Sequence, residues 1–87
     1  MDGLRRRASS PTFTIGRKAK NDLPLPFDSK VSAEHARIVR DGGHYWLEDL
    51  GSRNGTLIGD ERISSRILIG PGTLFTVGLS CLEFMPR

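Results

Sequence analysis

Apolar residues in this chain fall into short alternating runs, not long helical stripes. Phe13-Thr14-Ile15 alternates apolar and polar, the period of a half-buried strand, and Gly16 closes it. Residues 18–30 carry Asn21, Asp22, Pro24, Pro26 and Asp28 and read mainly as loop. A brief extended piece is expected at 23–25, because residues before proline are pushed out of the helical region. Residues 32–40 admit two readings. Ser32 as an N-cap, followed by Ala33, Glu34, Ala36 and Arg37, favours a helix. At about nine residues that helix is marginal, and it runs into the turn signal Asp41-Gly42-Gly43 and the strand-like Tyr45-Trp46-Leu47. A hairpin accounts for both halves, with 36–40 paired to 44–49. Within it Tyr45 shares a face with Leu47 and is expected inward, leaving Trp46 on the other face. Asn54-Gly55 marks a tight turn, since both residues tolerate positive φ, and Thr56-Leu57-Ile58 follows as a strand. Gly59-Asp60 is a further turn. Residues 66–69 and 74–77 are strands separated by Gly70-Pro71-Gly72, and 82–85 is the last; Cys81 reads as a small strand residue. Short strands with Gly-rich turns imply an all-β sandwich or barrel.

Composition narrows the class. Eighty-seven residues make one domain, and 37% hydrophobic with 26% charged residues fits a globular fold. No apolar run approaches the ~20 residues of a membrane helix. The basic N-terminus lacks the apolar segment of a signal peptide. Cys81 is the single cysteine and has no internal disulfide partner; with no export signal, an intracellular setting is expected, cytoplasm or nucleus. Residues 1–10 read as a basic flexible arm and 11–87 as the domain. The arm's Arg5-Arg6-Arg7 is a like-charge run able to seek phosphate, and Arg6-Arg7-Ala8-Ser9 has the spacing of a basic-directed kinase site at Ser9. The net charge of +3 leans towards acidic partners without demanding nucleic acid.

The chemistry is concentrated in Ile15-Gly16-Arg17, in 31–36 (Val-Ser-Ala-Glu-His-Ala) and in 49–56 (Asp-Leu-Gly-Ser-Arg-Asn-Gly-Thr). These islands hold arginines, serines and an asparagine between glycines. Donors without an acid–base or metal cluster suit an anion that is held and not transformed, and the planar fork of arginine matches phosphate oxygens. His35, His44 and Cys81 stand at unrelated spacings, so neither a zinc site nor any cofactor is expected. His44, at the hairpin turn, is expected exposed.

Gly16-Arg17, then Ser32-x-x-His35, then Asp49-Leu50-Gly51-Ser52-x-Asn54-Gly55-Thr56 resembles the forkhead-associated (FHA) domain, a phosphothreonine-peptide binder, and Asn21-Asp22-Leu23 extends the match. The resemblance covers roughly residues 13 to 85. It implies an antiparallel β-sandwich of about ten to eleven short strands with binding loops at one end. It also implies a phosphopeptide site of Arg17, Ser32, Arg53, Asn54 and Lys30, with Gly16, His35, Gly55 and Thr56 as its architecture. Lys30 would favour an acidic residue three positions after the phosphothreonine, and Asn54 would bond the peptide main chain. Lys18, next to Arg17, reads as a solvated lysine, with diffuse attraction to the anion as the alternative. Ala33 departs from the family, which often carries a polar or longer residue there. For the family's full strand ahead of Gly-Arg the only candidates here are the basic tail and residues 12–15, so that edge strand is short, missing or supplied elsewhere, and an edge left unpaired would be a pairing liability.

The function implied is a non-enzymatic module that recognises extended phosphothreonine segments made by Ser/Thr kinases. Its partner is then a phosphothreonine-containing protein, with no membrane, and the module is a monomer or part of a larger assembly. Two rivals stand beside it. A nucleic-acid-associated domain would use Arg5, Arg6 and Arg7 and show steep salt dependence. A small hydrolase would use Ser32, His35 and Asp49, although the Gly-x-Ser-x-Gly elbow is absent.

Overall fold

A computed structural model describes residues 12–86. Nine strands form two sheets: β1 Thr12–Gly16, β2 Leu23–Pro24, β3 Ala36–Asp41, β4 His44–Asp49, β5 Thr56–Ile58, β6 Glu61–Arg62, β7 Ile67–Ile69, β8 Leu74–Val77 and β9 Ser80–Glu83. One sheet has the order β2-β1-β3-β4-β7 and the other β6-β5-β8-β9. Ile15, Ala36, Ile38, Leu47 and Ile69 from the first sheet meet Phe75 and Val77 from the second in one buried core, closed by Leu25 and Val31 from the loops. The β-sandwich expectation is therefore met, with nine strands among the described residues where about ten to eleven were expected.

The hairpin reading of 32–49 holds. Ala36 pairs with Asp49 and Asp41 with His44, and no helix forms among the described residues. Tyr45 turns inward, its ring 4.9 Å from that of Phe84, while Trp46 lies under the Arg66 guanidinium at 4.2 Å. Arginine covers the half-buried indole. His44 is exposed, and so is Cys81, on the outer strand β9.

Three details differ from the sequence reading. The sandwich is not wholly antiparallel: β1 and β2 run parallel, Ile15 opposite Leu23 and Gly16 opposite Pro24. The loop between them folds back on itself, with Asp22 Oδ2 accepting from the Thr14 amide at 2.8 Å, so the chain re-enters beside β1 in the same direction. Proline, which cannot donate to a ladder, is tolerated because β2 is an edge. The last strand starts two residues before expectation, because Gly78 at φ 59° makes a tight turn that pairs Val77 directly with Ser80. Phe84 still bonds the Gly72 and Thr73 backbone beyond the end of that ladder. β6 was not anticipated from sequence. The register Thr56–Val77 carries the functional argument: it brings the 78–79 turn to the end of the sandwich that holds the 50–55 loop.

The arm of residues 1–10, with Arg5, Arg6, Arg7 and Ser9, lies outside the described residues.

Candidate functional site

Three loops meet at one end. The loop after β1 carries Arg17, the long β2–β3 connection carries Lys30 and Ser32, and the β4–β5 loop carries Arg53 and Asn54. They enclose a shallow cleft of about 290 Å³ lined by Arg17, Ser29, Lys30, Val31, Ser32, Ala33, Arg53 and Asn54. All five residues expected to bind the phosphopeptide are thus brought together.

The loops are fixed to each other by backbone and buried side chains. The Arg17 amide donates to the Ser32 carbonyl at 2.9 Å. Asn21, buried, donates its side-chain amide to the carbonyls of Lys18 and Ala33 at 2.9 and 2.8 Å. Gly16 lies beneath this junction, and a Cβ there would stand 2.3 Å from the Ala33 carbonyl oxygen. Its φ is not positive, so close approach of the loops, and not a tight turn, requires glycine.

His35 is 0% exposed and sits between the second and third loops. Its Nδ1 accepts from the Ser32 amide at 3.0 Å. The ring proton therefore lies on Nε2, which donates to the Gly55 carbonyl at 2.8 Å. Its own backbone bridges Ile15 and Leu50. The imidazole is occupied with main chain on both sides and does not reach the Ser32 hydroxyl, so the hydrolase arrangement does not form.

Asp49 organises the third loop. Its carboxylate accepts from the Ser52 hydroxyl at 2.6 Å, the Thr56 hydroxyl at 2.8 Å and the amides of Gly51 and Ser52 at 3.0 Å. Partial burial pushes its pKa up, but the hydroxyls of Ser52 and Thr56 and the Ser52 amide outweigh it and hold the group below its ordinary value. Ser52 is more than a turn residue, since its oxygen also accepts from the Gly55 amide at 2.9 Å. Gly55 has φ 83°, and Arg62 of β6 lies across it and reaches towards the carbonyls of Ser52 and Arg53.

The lining side chains are presented differently. The Ser32 hydroxyl oxygen accepts from the Arg53 amide at 3.0 Å, leaving its proton available to a ligand. Asn54 donates to the Lys30 carbonyl at 2.9 Å, and its side-chain oxygen has no protein partner among the described residues. Arg17, Lys30 and Arg53 are exposed and make no ion pair among the described residues. Lys18 is exposed and lies outside the cleft lining. The nearby acid, Glu34, is neutralised by Lys20, whose hydrogen bond and charge lower its pKa. A cationic, donor-rich cleft with a neutralised neighbour is built to receive an anion.

Sequence comparison agrees with this geometry. The profile of the FHA domain matches residues 13–78. The chain belongs to the FHA family. FHA relatives include the FHA domain-containing protein FhaB of Mycobacterium tuberculosis, 31% identical over 86 residues, 99% of this chain and 55% of that protein. The chain thus spans about half the length of this curated relative. Among solved structures, M. tuberculosis EmbR in complex with a low-affinity phosphopeptide superposes with a TM-score of 0.78 at 34% identity, covering 85% of this chain and 19% of that one. An FHA domain from a structural and functional study of phosphothreonine-dependent interactions gives 0.77 at 29% identity, covering 87% and 77%.

Two site-forming residues escaped the sequence reading. Arg62 was missed with its strand. Asp28 was read only as a loop residue, yet it is 4% exposed. Its Oδ2 accepts from the Ser80 hydroxyl at 2.6 Å and the Leu79 amide at 2.8 Å, and its Oδ1 accepts from the Lys30 amide at 3.0 Å. The Ser80 hydroxyl is the main cause of its lowered pKa. The local half of this pattern, an Asp bonding the amide two residues on, is legible as an Asx turn. The half made across 51 residues is not.

Proposed function

We propose that this FHA domain binds a phosphothreonine-bearing segment of a partner protein in an extended conformation and performs no chemistry on it. One observation carries the reading: Ser32 accepts from the Arg53 amide and keeps its proton for the cleft that Arg17 and Arg53 line without ion-pair partners among the described residues. Two guanidinium groups and a hydroxyl donor match the oxygens of a phosphate dianion. The free oxygen of Asn54 suits an amide of the peptide main chain. The phosphopeptide bound by EmbR and the phosphothreonine dependence described for another FHA domain support carrying this chemistry to the present chain. Ala33, half-buried in the lining, offers a small apolar surface to a threonine methyl group. Kinase products of this kind imply an intracellular setting.

Charge-assisted hydrogen bonds contribute ~1.5–3 kcal/mol each. A few of them, less the cost of ordering a peptide, correspond to roughly micromolar affinity. The test is titration calorimetry with a peptide selected from an oriented phosphothreonine library, compared with its unphosphorylated form and with Arg17→Ala. Loss of at least ~2 kcal/mol, about thirtyfold, is expected in each comparison. Equal affinity with and without phosphate would overturn the reading.

A further inference from the structure

Residues 62–66, Arg-Ile-Ser-Ser-Arg, run from β6 towards β7 and line no part of the phosphate cleft. They border a separate open hollow of about 580 Å³. The 50–55 loop contributes to both: Arg53 and Asn54 to the cleft, Gly51 to the hollow. The two arginines of the segment are held differently. Arg66 has an acid, Asp41, at 3.3 Å and the Trp46 ring at 4.2 Å. Arg62 has neither an acid nor a ring among the described residues. Its guanidinium lies across Gly55, where a Cβ would collide with Nε, and its Nη2 stands 3.4 and 3.5 Å from the carbonyl oxygens of Ser52 and Arg53. Those are long bonds to neutral acceptors, weaker than bonds to an ionised group. Arg62 thus steadies the loop that presents Arg53 and Asn54, with contacts that a neighbouring anion would outcompete.

The hydroxyls of Ser32, Ser52 and Ser80 are all engaged in hydrogen bonds. Those of Ser64 and Ser65 make none among the described residues, and both residues are exposed. The backbone tells the two apart. The Ile63 amide donates to the Thr56 carbonyl at 2.9 Å, so the chain stays extended through Ile63, whose side chain packs on the core. Alternation then sets Arg62 and Ser64 together on the side opposite Ile63. Ser64 also has one arginine two residues before it and another two after it. A free hydroxyl on exposed irregular chain, bracketed by guanidinium groups, suits a basic-directed Ser/Thr kinase. We propose that Ser64 is a phosphorylation site, and that its phosphate draws Arg62 off the Ser52 and Arg53 carbonyls and so weakens the phosphothreonine cleft. In the transfer the Ser64 oxygen bonds the γ-phosphorus of ATP, and the bond from that phosphorus to the β–γ bridging oxygen breaks. ADP leaves, and the hydroxyl proton passes to the base of the kinase. The product carries a charge of about −1.5 to −2 and three acceptor oxygens, two residues from a guanidinium without an anion. The acids of the hollow do not compete for Arg62, since Glu48 is bonded to Arg37 at 2.6 Å and Asp49 to Ser52, Thr56 and two amides. The effect on the cleft rests on the phosphopeptide reading above; the modification itself does not.

The test has two arms. In the first, the folded chain with Ser9→Ala, which removes the basic-directed serine of the arm, is incubated with magnesium, ATP and the catalytic fragment of protein kinase C. Mass-spectrometric mapping finds phosphate on Ser64, and none at that position in Ser64→Ala; no phosphate on Ser64 would overturn the site. In the second, phosphoserine is encoded at position 64. That protein stays folded and binds a phosphothreonine peptide, selected on the unmodified domain, about fivefold more weakly by calorimetry. Its Arg62 Nε–H resonance shifts and its Gly55 amide exchanges faster, while Ser64→Ala binds as wild type does. With Arg62→Gln, phosphoserine at 64 causes no further loss; a further loss would show that the phosphate acts through bulk charge and would overturn the mechanism. Should Arg62→Gln fail to fold, the Arg62 resonance of the phosphorylated domain decides alone, and an unmoved resonance overturns the mechanism. Equal affinity of the phosphorylated and unmodified domains would overturn the coupling and leave phosphothreonine binding intact. No phosphate-dependent peptide binding by the unmodified domain would overturn the earlier reading and the coupling with it, while the mapping would still decide the site.

Discussion

Replacing His35 by alanine separates the scaffold of the site from its ligand-binding groups. The ring is fully buried and joins the Ser32 amide to the Gly55 carbonyl. Its removal orphans a buried donor and a buried acceptor, each costing ~1–3 kcal/mol when unsatisfied. It also opens a gap, and large-to-alanine changes in cores cost ~2–5 kcal/mol. The contributions overlap, because a collapsing loop recovers some bonds, so a total of about 3–5 kcal/mol is expected. Total stability for 87 residues is roughly 4–13 kcal/mol, so the substitution removes a large share of it. At ~4–8 °C per kcal/mol for a domain of this size, the melting temperature should fall by at least ~10 °C.

The assay is differential scanning calorimetry of wild type, His35→Ala and Arg17→Ala, with phosphopeptide titrations below the lowest melting point. His35→Ala should melt early and bind weakly, since the Ser32 and Asn54 loops lose their common fastening. Arg17→Ala should melt within ~1 °C of wild type and lose binding, because its exposed guanidinium has no ion-pair partner among the described residues. A His35→Ala protein melting within 2 °C of wild type would refute the reasoning. It would show that water or loop relaxation satisfies both orphaned groups at no cost.

Three further outcomes are expected. Phosphothreonine peptides should bind at least tenfold tighter than phosphoserine ones: the extra methyl group contributes ~0.8 kcal/mol when buried against the loops, and the stiffer β-branched side chain adds pre-organisation; indistinguishable calorimetric affinities would refute this. Lys30→Glu should weaken or invert a preference for Asp or Glu three residues after the phosphothreonine, an effect that shrinks towards physiological salt because Lys30 is exposed; an unchanged library profile would remove Lys30 from the site. Asp28 and Asp49 have lowered folded-state pKa values, so their contribution to stability is complete above the unfolded carboxyl value of about 3.9 and is lost as pH falls below it. Urea titrations from pH 5 to pH 2 should show that loss, with a shallower slope in Asp49→Asn; equal slopes would refute the assignment for Asp49.

Strand by strand, legibility followed the strength of the local pattern. β4, β5 and β8 have the bounds that alternation and turn chemistry predict, and β3 runs one residue further, because Gly42-Gly43 adopts the positive φ its hairpin needs. β6 carries no such signal. Glu61 and Arg62 are both exposed and become a strand only because β5 offers an edge, a tertiary fact. The parallel β1–β2 pair was hidden for a related reason, since its direction is fixed by the Thr14–Asp22 contact and not by periodicity. For the site, residue types and spacing pointed to anion binding, while the convergence of Arg17, Ser32 and Arg53 came from the family resemblance. Neither source exposed the long-range half of Asp28, because a carboxylate among prolines and serines looks solvated until the partner turn is known.

The buried and half-buried polar groups at this end of the sandwich share one arrangement, and it bears on affinity. Asn21 holds the Ala33 carbonyl, Asp28 the Leu79 amide, His35 the Ser32 amide and the Gly55 carbonyl, and Asp49 the amides of its own loop. Each is spent on main chain or on neighbouring hydroxyls, and none faces the cleft as a lining residue. The charged and amide groups that line it, Arg17, Lys30, Arg53 and Asn54, are exposed side chains on backbone held by these bonds. A phosphopeptide therefore meets loops whose ordering cost was met on folding, and what it must still order is chiefly the side chains of Arg17, Lys30 and Arg53. Immobilising such side chains costs ~0.5–1.5 kcal/mol each. That is smaller than a charge-assisted bond at ~1.5–3 kcal/mol, so each contact leaves a surplus, though a small one. Affinity built from a few small surpluses is moderate, and discrimination among phosphorylated segments has to come from contacts beyond the phosphate.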